Sequence, residues 1–218
     1  MFRNDLAIVV PAYNEEATIK SVVESGMIHG KVIVVDDCST DNTSQVVKRL
    51  EDVVMLRNNK NLGYESSLAK GIEHSIKMGF KYVITLDADG QLCPTLIPKF
   101  YNSLKSGYDV VIGQRDEFQR WSEHLCALIG RVVWKISDPL CGMKAYRLEM
   151  LKNIELKTFD SIATELVIRM IKGKKRVFEI PITTKKRDGE SKFGSNSFKT
   201  NVFIWKSFLK NFKNGDPI

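Results

Sequence analysis

Asp87 and Asp89 flank Ala88, with Gly90-Gln91 behind them, directly after the apolar run Tyr82–Leu86. Two carboxylates in one tight turn offer the hard oxygen ligands that Mg²⁺ or Mn²⁺ prefers, and such an ion shares its remaining positions with phosphate oxygens. Held there, it would screen a diphosphate and stabilise charge building on it as a leaving group. A D-x-D triplet also serves ordinary turn chemistry. Its place beyond a β-branched run, level with other acids, favours the ligand role.

A second acidic cluster, Asp36-Asp37-Cys38-Ser39-Thr40-Asp41, closes another apolar run. Ser39, Thr40 or Asp41 can cap the helix that follows, whereas Asp36 and Asp37 can reach the N–H groups of a base or the hydroxyls of a ribose. The chain has no G-x-G-x-x-G between its first strand and helix and no G-x-x-x-x-G-K-[ST]. A dinucleotide fold and an ATPase phosphate loop are therefore both disfavoured, and a nucleotide would be held by carboxylates and a cation. Arg115, ending Gly113-Gln114-Arg115, offers a rigid fork of donors to phosphate oxygens; Arg120 and Arg131 compete for that role. The loop Arg187-Asp188-Gly189-Glu190-Ser191-Lys192-Phe193-Gly194 combines flexible glycines, a cation and an aromatic cover, as a lid over phosphate groups would.

These groups need a scaffold that brings them to one edge. Strands are expected at Leu6–Val10, Lys31–Asp36, Val53–Arg57, Tyr82–Leu86, Asp109–Ile112 and Arg176–Ile180. Helices are expected near Glu16–Met27, Asn42–Leu50, Tyr64–Met78, Pro94–Ser103, Ser122–Lys135, Ile162–Ile171 and Phe198–Phe212. Val- and Ile-rich strands alternating with helices make βαβ units and a mainly parallel sheet. Such sheets bind ligands beyond the carboxyl ends of their strands, where Pro11-Ala12-Tyr13-Asn14-Glu15, Asp36-Asp37 and Asp87-Ala88-Asp89 all fall.

With 218 residues and 43% hydrophobic content, the chain can bury a core and suits one α/β domain. It shows neither a signal-peptide pattern nor an apolar run of the roughly 18 residues that cross a bilayer, so a cytoplasmic protein, resting at most on a membrane surface, is expected. The four scattered cysteines form no C-x-x-C pair and read as thiols. Arg169–Lys213 holds thirteen Lys and Arg against three acids, within a chain of net charge +7. A basic tail on a slightly acidic body suits a polyanionic partner or a solvated face. On the last helix, Phe198, Val202, Trp205, Phe208, Leu209 and Phe212 share one broad side, with Lys199, Lys206, Lys210 and Lys213 adjoining. That pattern fits an interfacial helix on anionic lipid or one docked on its own domain. Residues 1–195 and 196–218 are accordingly expected as a catalytic domain and an appended basic amphipathic helix.

At these residues the sequence resembles family-2 glycosyltransferases of the GT-A fold, nearest to the dolichyl- and polyprenyl-phosphate mannose synthase-like group. The resemblance rests on Pro11 to Glu15, Val35-Asp36-Asp37 with Ser39 and Asp41, Asn61-Leu62-Gly63, Asp87 to Gln91, Asp138 to Arg147 and Glu190 to Gly194. It implies that Pro11, Tyr13 and Glu15 line a nucleotide pocket and that Asp37 reads the base. Asp87 would meet the ribose or sugar of the donor, Asp89 would bind the divalent cation with help from Gln91, and Arg115 and Lys192 would meet phosphates. The implied reaction is inverting transfer of a hexose from a GDP- or UDP-sugar to a polyprenyl phosphate. Arg120, Arg131, Ser191 and Lys192 are the candidate acceptor contacts. Only Asp116 to Arg120 separate Arg115 from Trp121, a shorter segment than this group usually carries.

A glycan hydroxyl of capsule or lipopolysaccharide is the rival acceptor. It would need a general base, for which Asp160 and Glu165 are the available late carboxylates, whereas a phosphate arrives ionised and needs none. A basic RNA- or membrane-binding module would explain the C-terminus but leaves the strand-end acids idle. Those acids would repel a phosphate backbone, so no nucleic-acid partner is expected. No feature of the sequence specifies an oligomeric state.

Overall fold

The computed structural model describes residues 2–118, 120–154, 156, 161–184 and 198–213. Its first half repeats strand and helix: β1 (Arg3–Ala12), α1 (Ile19–Met27), β2 (Gly30–Asp36), α2 (Thr43–Lys48), β3 (Val54–Arg57), α3 (Tyr64–Lys77), β4 (Tyr82–Thr85), α4 (Ile97–Lys105) and β5 (Val110–Arg115). Then come α5 (Trp121–Ile129), β6 (Lys144–Arg147), α6 (Ile162–Lys172), β7 (Val177–Ile182) and α7 (Phe198–Lys213).

The strands form one sheet in the order β3-β2-β1-β4-β6-β5-β7. β1 pairs in parallel with β2 and β4, β2 with β3, and β5 with β7. The mainly parallel sheet expected from the alternation is present. Leu6 to Val10, Val32 to Val35 and Val83 to Ile84 are fully buried, as strands covered by helices on both faces must be. Each Val, Leu or Ile among them contributes roughly 1.5–3 kcal/mol of burial. α3 lies so close over β1 that a Cβ on Gly71 would sit 2.3 Å from Val9 Cγ1. Pro11 is tolerated in a central strand because the β1–β4 pairing ends at Val9–Thr85, so no ladder bond to β4 is lost at Pro11.

Two expectations are corrected. The residue types of the Asp138–Arg147 stretch predict no strand, yet β6 inserts antiparallel between β4 and β5, with Lys144, Ala145 and Tyr146 buried at 1% exposure or less. Its ends are Lys and Arg, so the residue types conceal the burial. The long helix expected over Ser122–Lys135 is α-helical only to Ile129; Gly130–Trp134 is a π-helical turn that stops at Lys135, whose φ is +60°. Ile136 O lies 2.8 Å from where a Cβ on Gly130 would be, so the chain folds back against this turn.

α7 packs on α5 and α6. Phe208 is buried against Trp134, ring centroids 5.4 Å apart, and the Asn201 side-chain oxygen accepts the Ser122 N–H at 3.2 Å. Phe198, at the start of the same helix, is 76% exposed.

Candidate active site

The segment leaving β1 and the turn leaving β2 are laced together. Asn14 N–H donates to Ser39 Oγ at 3.0 Å, Glu15 N–H to Thr43 Oγ1 at 2.7 Å, and Glu16 N–H to Asp41 Oδ2 at 3.1 Å. In return, Asn14 Oδ1 accepts the Thr40 N–H at 2.8 Å. Asn14 and Cys38 both have positive φ, +54° and +63°, a conformation that Asn tolerates better than most side chains. These bonds hold Pro11, Tyr13 and Glu15 beside the end of β2; Pro11 is buried, Tyr13 and Glu15 partly so.

The two aspartates at the end of β2 have separate tasks. Asp36 is fully buried: it accepts the Ser39 N–H at 3.0 Å and the Ser44 hydroxyl, and Arg57 Nε lies 3.3 Å away. It anchors the β2–α2 turn from a fully buried position, with these protein groups as its partners. Asp37 accepts Asn58 Nδ2 at 2.8 Å and the backbone N–H groups of Leu62 and Gly63 at 2.9 and 2.7 Å. It thereby fixes the Asn61-Leu62-Gly63 loop at the head of α3.

The β4 end carries the second acidic pair. Asp87 accepts the Tyr64 hydroxyl at 2.8 Å. Its other side faces Gly142, where an added Cβ would lie 2.0 Å from Asp87 Oδ2. Asp89 Oδ1 accepts the Gln91 N–H at 3.0 Å, and Thr18 Oγ1 donates to the Ala88 carbonyl at 2.7 Å, tying this turn to α1. Burial, and then the neighbouring Asp89 charge, raise the Asp87 pKa to about 6. Crowded negative charge of this kind is what a divalent cation relieves. Among the described residues no three His, Cys, Asp or Glu side chains cluster as a metal cage. The donor set fits a hard cation that takes one or two carboxylates and completes its shell with phosphate oxygens.

Beneath these acids lies a layer of ionisable groups that sequence reading did not identify. Lys144 is buried, donates to the Cys141 carbonyl, and has its pKa lowered by burial. Burial raises Glu65 to about 7, opposed by the Ala163 N–H and by Lys144. Thr85 Oγ1 donates to Gly142 O at 2.6 Å and accepts the Lys144 N–H at 3.0 Å, pinning β6 to β4 and Gly142 beside Asp87. Tyr64 follows Asn61-Leu62-Gly63 directly, which is the only local hint of its placement.

Arg115 ends β5, but its fork grips Asp138: Nε to Oδ2 at 2.7 Å and Nη2 to Oδ1 at 3.0 Å, with Nη1 3.6 Å from Glu123. Burial pulls its pKa down, and Asp138 more than reverses this. Arg120 lies 3.4 Å from the same Glu123 carboxylate, and Arg131 is exposed on the π-helical turn. Glu165 is 3% exposed and bonded to Arg169 Nε at 2.8 Å, an internal pair on α6. The expected residues Asp160, Ser191 and Lys192 lie outside the described residues.

Residues 7–124 match the family described as glycosyl transferase family 2. The chain belongs to that family. This family-2 glycosyltransferase is 32% identical over 213 residues to the undecaprenyl-phosphate 4-deoxy-4-formamido-L-arabinose transferase of Edwardsiella ictaluri, spanning 87% of this chain and 63% of that one. It is 28% identical to the dolichyl-phosphate hexose transferase of Haloferax volcanii, spanning 95% and 93% of the two chains. Within the family it groups with the dolichyl- and polyprenyl-phosphate mannose synthase-like proteins. Its fold is that of glucosyl-3-phosphoglycerate synthase from Mycobacterium tuberculosis, solved with Mn²⁺, UDP and phosphoglyceric acid, at a TM-score of 0.73 and 18% identity over 95% of this chain and 78% of that one. The GT-A architecture expected from the resemblance is therefore present.

Proposed function

We propose that this glycosyltransferase moves a hexose, with inversion, from a GDP- or UDP-sugar to a polyprenyl phosphate at a cytoplasmic membrane face. The observation that carries the reading is the convergence of Asp37, Asp87 and Asp89 at the carboxyl ends of β2 and β4, beside the braced Pro11–Glu15 segment. The relatives named for transfer to undecaprenyl and dolichyl phosphates support the acceptor class.

In this reading Pro11, Tyr13 and Glu15 line the nucleotide pocket and Asp37 meets the base while still holding its loop. Asp87 meets the ribose or the transferred sugar, and Asp89 with Gln91 holds Mg²⁺ or Mn²⁺. The cation, when bound, supplies positive charge to the departing diphosphate. Arg115 acts through Asp138, stiffening the end of β5, which leaves Arg120, Arg131, Ser191 and Lys192 as the candidate contacts to acceptor phosphate. The lid expected over Arg187 to Gly194 belongs to this reading, and those residues lie outside the described ones.

A phosphate acceptor enters ionised, so the chain needs no general base. The burial of Glu165 with Arg169 supports this over a hydroxyl acceptor. Among the described residues no helix is long and apolar enough to cross a membrane. In this reading the lipid acceptor is met at the protein surface. Trp121, Leu128, Val132 and Val133 on α5 and its π-helical turn are 46–66% exposed, beside exposed Arg131 and Lys135. Apolar side chains next to cations suit an anionic headgroup layer, and residues 196–218 would add α7 to that surface.

The test is donor turnover by purified protein with Mg²⁺ or Mn²⁺ and a panel of nucleotide sugars, with and without a short polyprenyl phosphate. Sugar-loaded lipid phosphate is the expected product. Donor consumption that requires a glycan hydroxyl instead would overturn the acceptor assignment.

A further inference from the structure

Asp87 sits in a clamp built by two segments far apart in the chain. Its Oδ1 accepts the Tyr64 hydroxyl at 2.8 Å. Its Oδ2 lies against the backbone of Gly142, within 2.0 Å of the position a Cβ there would take. Rotation toward Gly142 meets backbone, and rotation the other way gives up the phenol. A hydrogen bond to an ionised carboxylate is among the stronger kinds available to a side chain.

Tyr64 is itself held in place. It is the first residue of α3, and Gly63 before it has φ +87°, which a larger residue adopts only with strain. The N–H groups of Leu62 and Gly63 donate to the two oxygens of Asp37. Asn58 Nδ2, bonded to Asp37 Oδ1 at 2.8 Å, also donates to Ser67 Oγ on α3 at 3.0 Å. A continuous path therefore runs from Asp37 at the end of β2, through Gly63 and Tyr64, to Asp87 beyond β4. It passes over β1 without using a residue of that strand.

We propose that Tyr64 is a positioning residue: its hydroxyl sets the rotamer of Asp87, and the loop held by Asp37 makes that setting common to both sides of the cleft. The proposal rests on the reading of this cleft as a nucleotide-sugar site. It gives the Asn61-Leu62-Gly63-Tyr64 segment a task in catalysis, namely to keep the sugar-side carboxylate aligned with the nucleotide side.

The test is Tyr64→Phe, which keeps the ring and removes the hydroxyl. The variant loses one hydrogen bond to a carboxylate and is expected to melt several degrees below the parent while still folding. Its kcat should fall about tenfold or more while the donor KM changes by less than about threefold, since the lost contact acts on alignment rather than uniform binding. A purely structural tyrosine would lower the melting temperature in the same way but leave kcat in place, and an unchanged kcat overturns the proposal. Crystal structures of parent and variant give a readout independent of turnover. Displacement or splitting of the Asp87 rotamer in the variant is expected; an unchanged single rotamer overturns the assignment whatever the kinetics. If the parent turns over no nucleotide sugar, the site reading fails, and the rotamer comparison still decides the role of Tyr64.

Discussion

Arg115 and Asp138 form a two-pronged ion pair, Nε to Oδ2 at 2.7 Å and Nη2 to Oδ1 at 3.0 Å, with Asp138 only 1% exposed. The Arg115 backbone N–H also donates to Asp138 Oδ2, at 3.2 Å. The pair thus joins the end of β5 to the chain segment that enters β6. Removing Asp138 takes away both close contacts of the mostly buried Arg115 guanidinium and leaves it the looser Glu123 carboxylate at 3.6 Å. Asp138→Ala is expected to lower stability by about 3–5 kcal/mol in urea unfolding. A loss below about 1 kcal/mol would show that solvent reaches Arg115 readily.

In the proposed reading Asp89 holds the cation. Asp89→Ala and Asp89→Asn should each abolish sugar transfer while circular dichroism and melting temperature stay close to the parent, because Asp89 is only partly buried. Normal turnover by either variant would remove the metal assignment.

Gly142→Ala places a methyl group 2.0 Å from Asp87 Oδ2 and 2.5 Å from its Cγ. Overpacking of this kind costs about 1–3 kcal/mol, and the carboxylate must move to admit it. Transfer is expected to drop by about a hundredfold or more, well beyond what the stability change explains. Parent-like activity would mean that the Asp87 position is not critical.

Burial raises the Glu65 pKa from an ordinary 4.5 to about 7. The folded protein therefore holds this proton more tightly than the unfolded chain does. Its contribution is most favourable below about pH 4.5 and declines as pH rises toward about 7. Glu65→Gln removes the titration, so metal-free stability measured across this range should slope less steeply downward than in the parent. Identical slopes would place the proton on another group.

Trp121 and Val132 are 46% and 66% exposed. Replacing both by serine should weaken sedimentation with anionic vesicles about tenfold or more and leave the melting temperature unchanged. Undiminished vesicle binding would exclude this face as the membrane contact. Truncation before α7 is a poorer test, since it uncovers the surface on which Phe208 is buried.

Much of this architecture was legible in the residues. The β-branched runs at Leu6–Val10, Lys31–Asp36 and Tyr82–Leu86 announce buried parallel strands, because a strand covered on both faces needs apolar residues at every position. The acids that close those runs therefore had to emerge at one edge of the sheet. β6 is not legible in the residue types because Lys144 and Arg147 satisfy their polar ends inside the protein: Lys144 on the Cys141 carbonyl, and Arg147 on the Leu104 carbonyl and beside Asp109. Composition registers the charge and cannot register the partner.

The sequence by itself determined the family, the parallel sheet and the edge at which Asp37, Asp87 and Asp89 collect, since these follow from patterns a few residues long. Only the tertiary structure decided that Asp36 anchors a turn, that Arg115 holds Asp138, and that Asp87 is gripped by Tyr64 and Gly142. Those choices depend on which groups meet across the fold. A carboxylate has the same formula whether its partner is a backbone N–H, a guanidinium, a phenol or a ligand, so its task is set by the neighbours that folding brings to it.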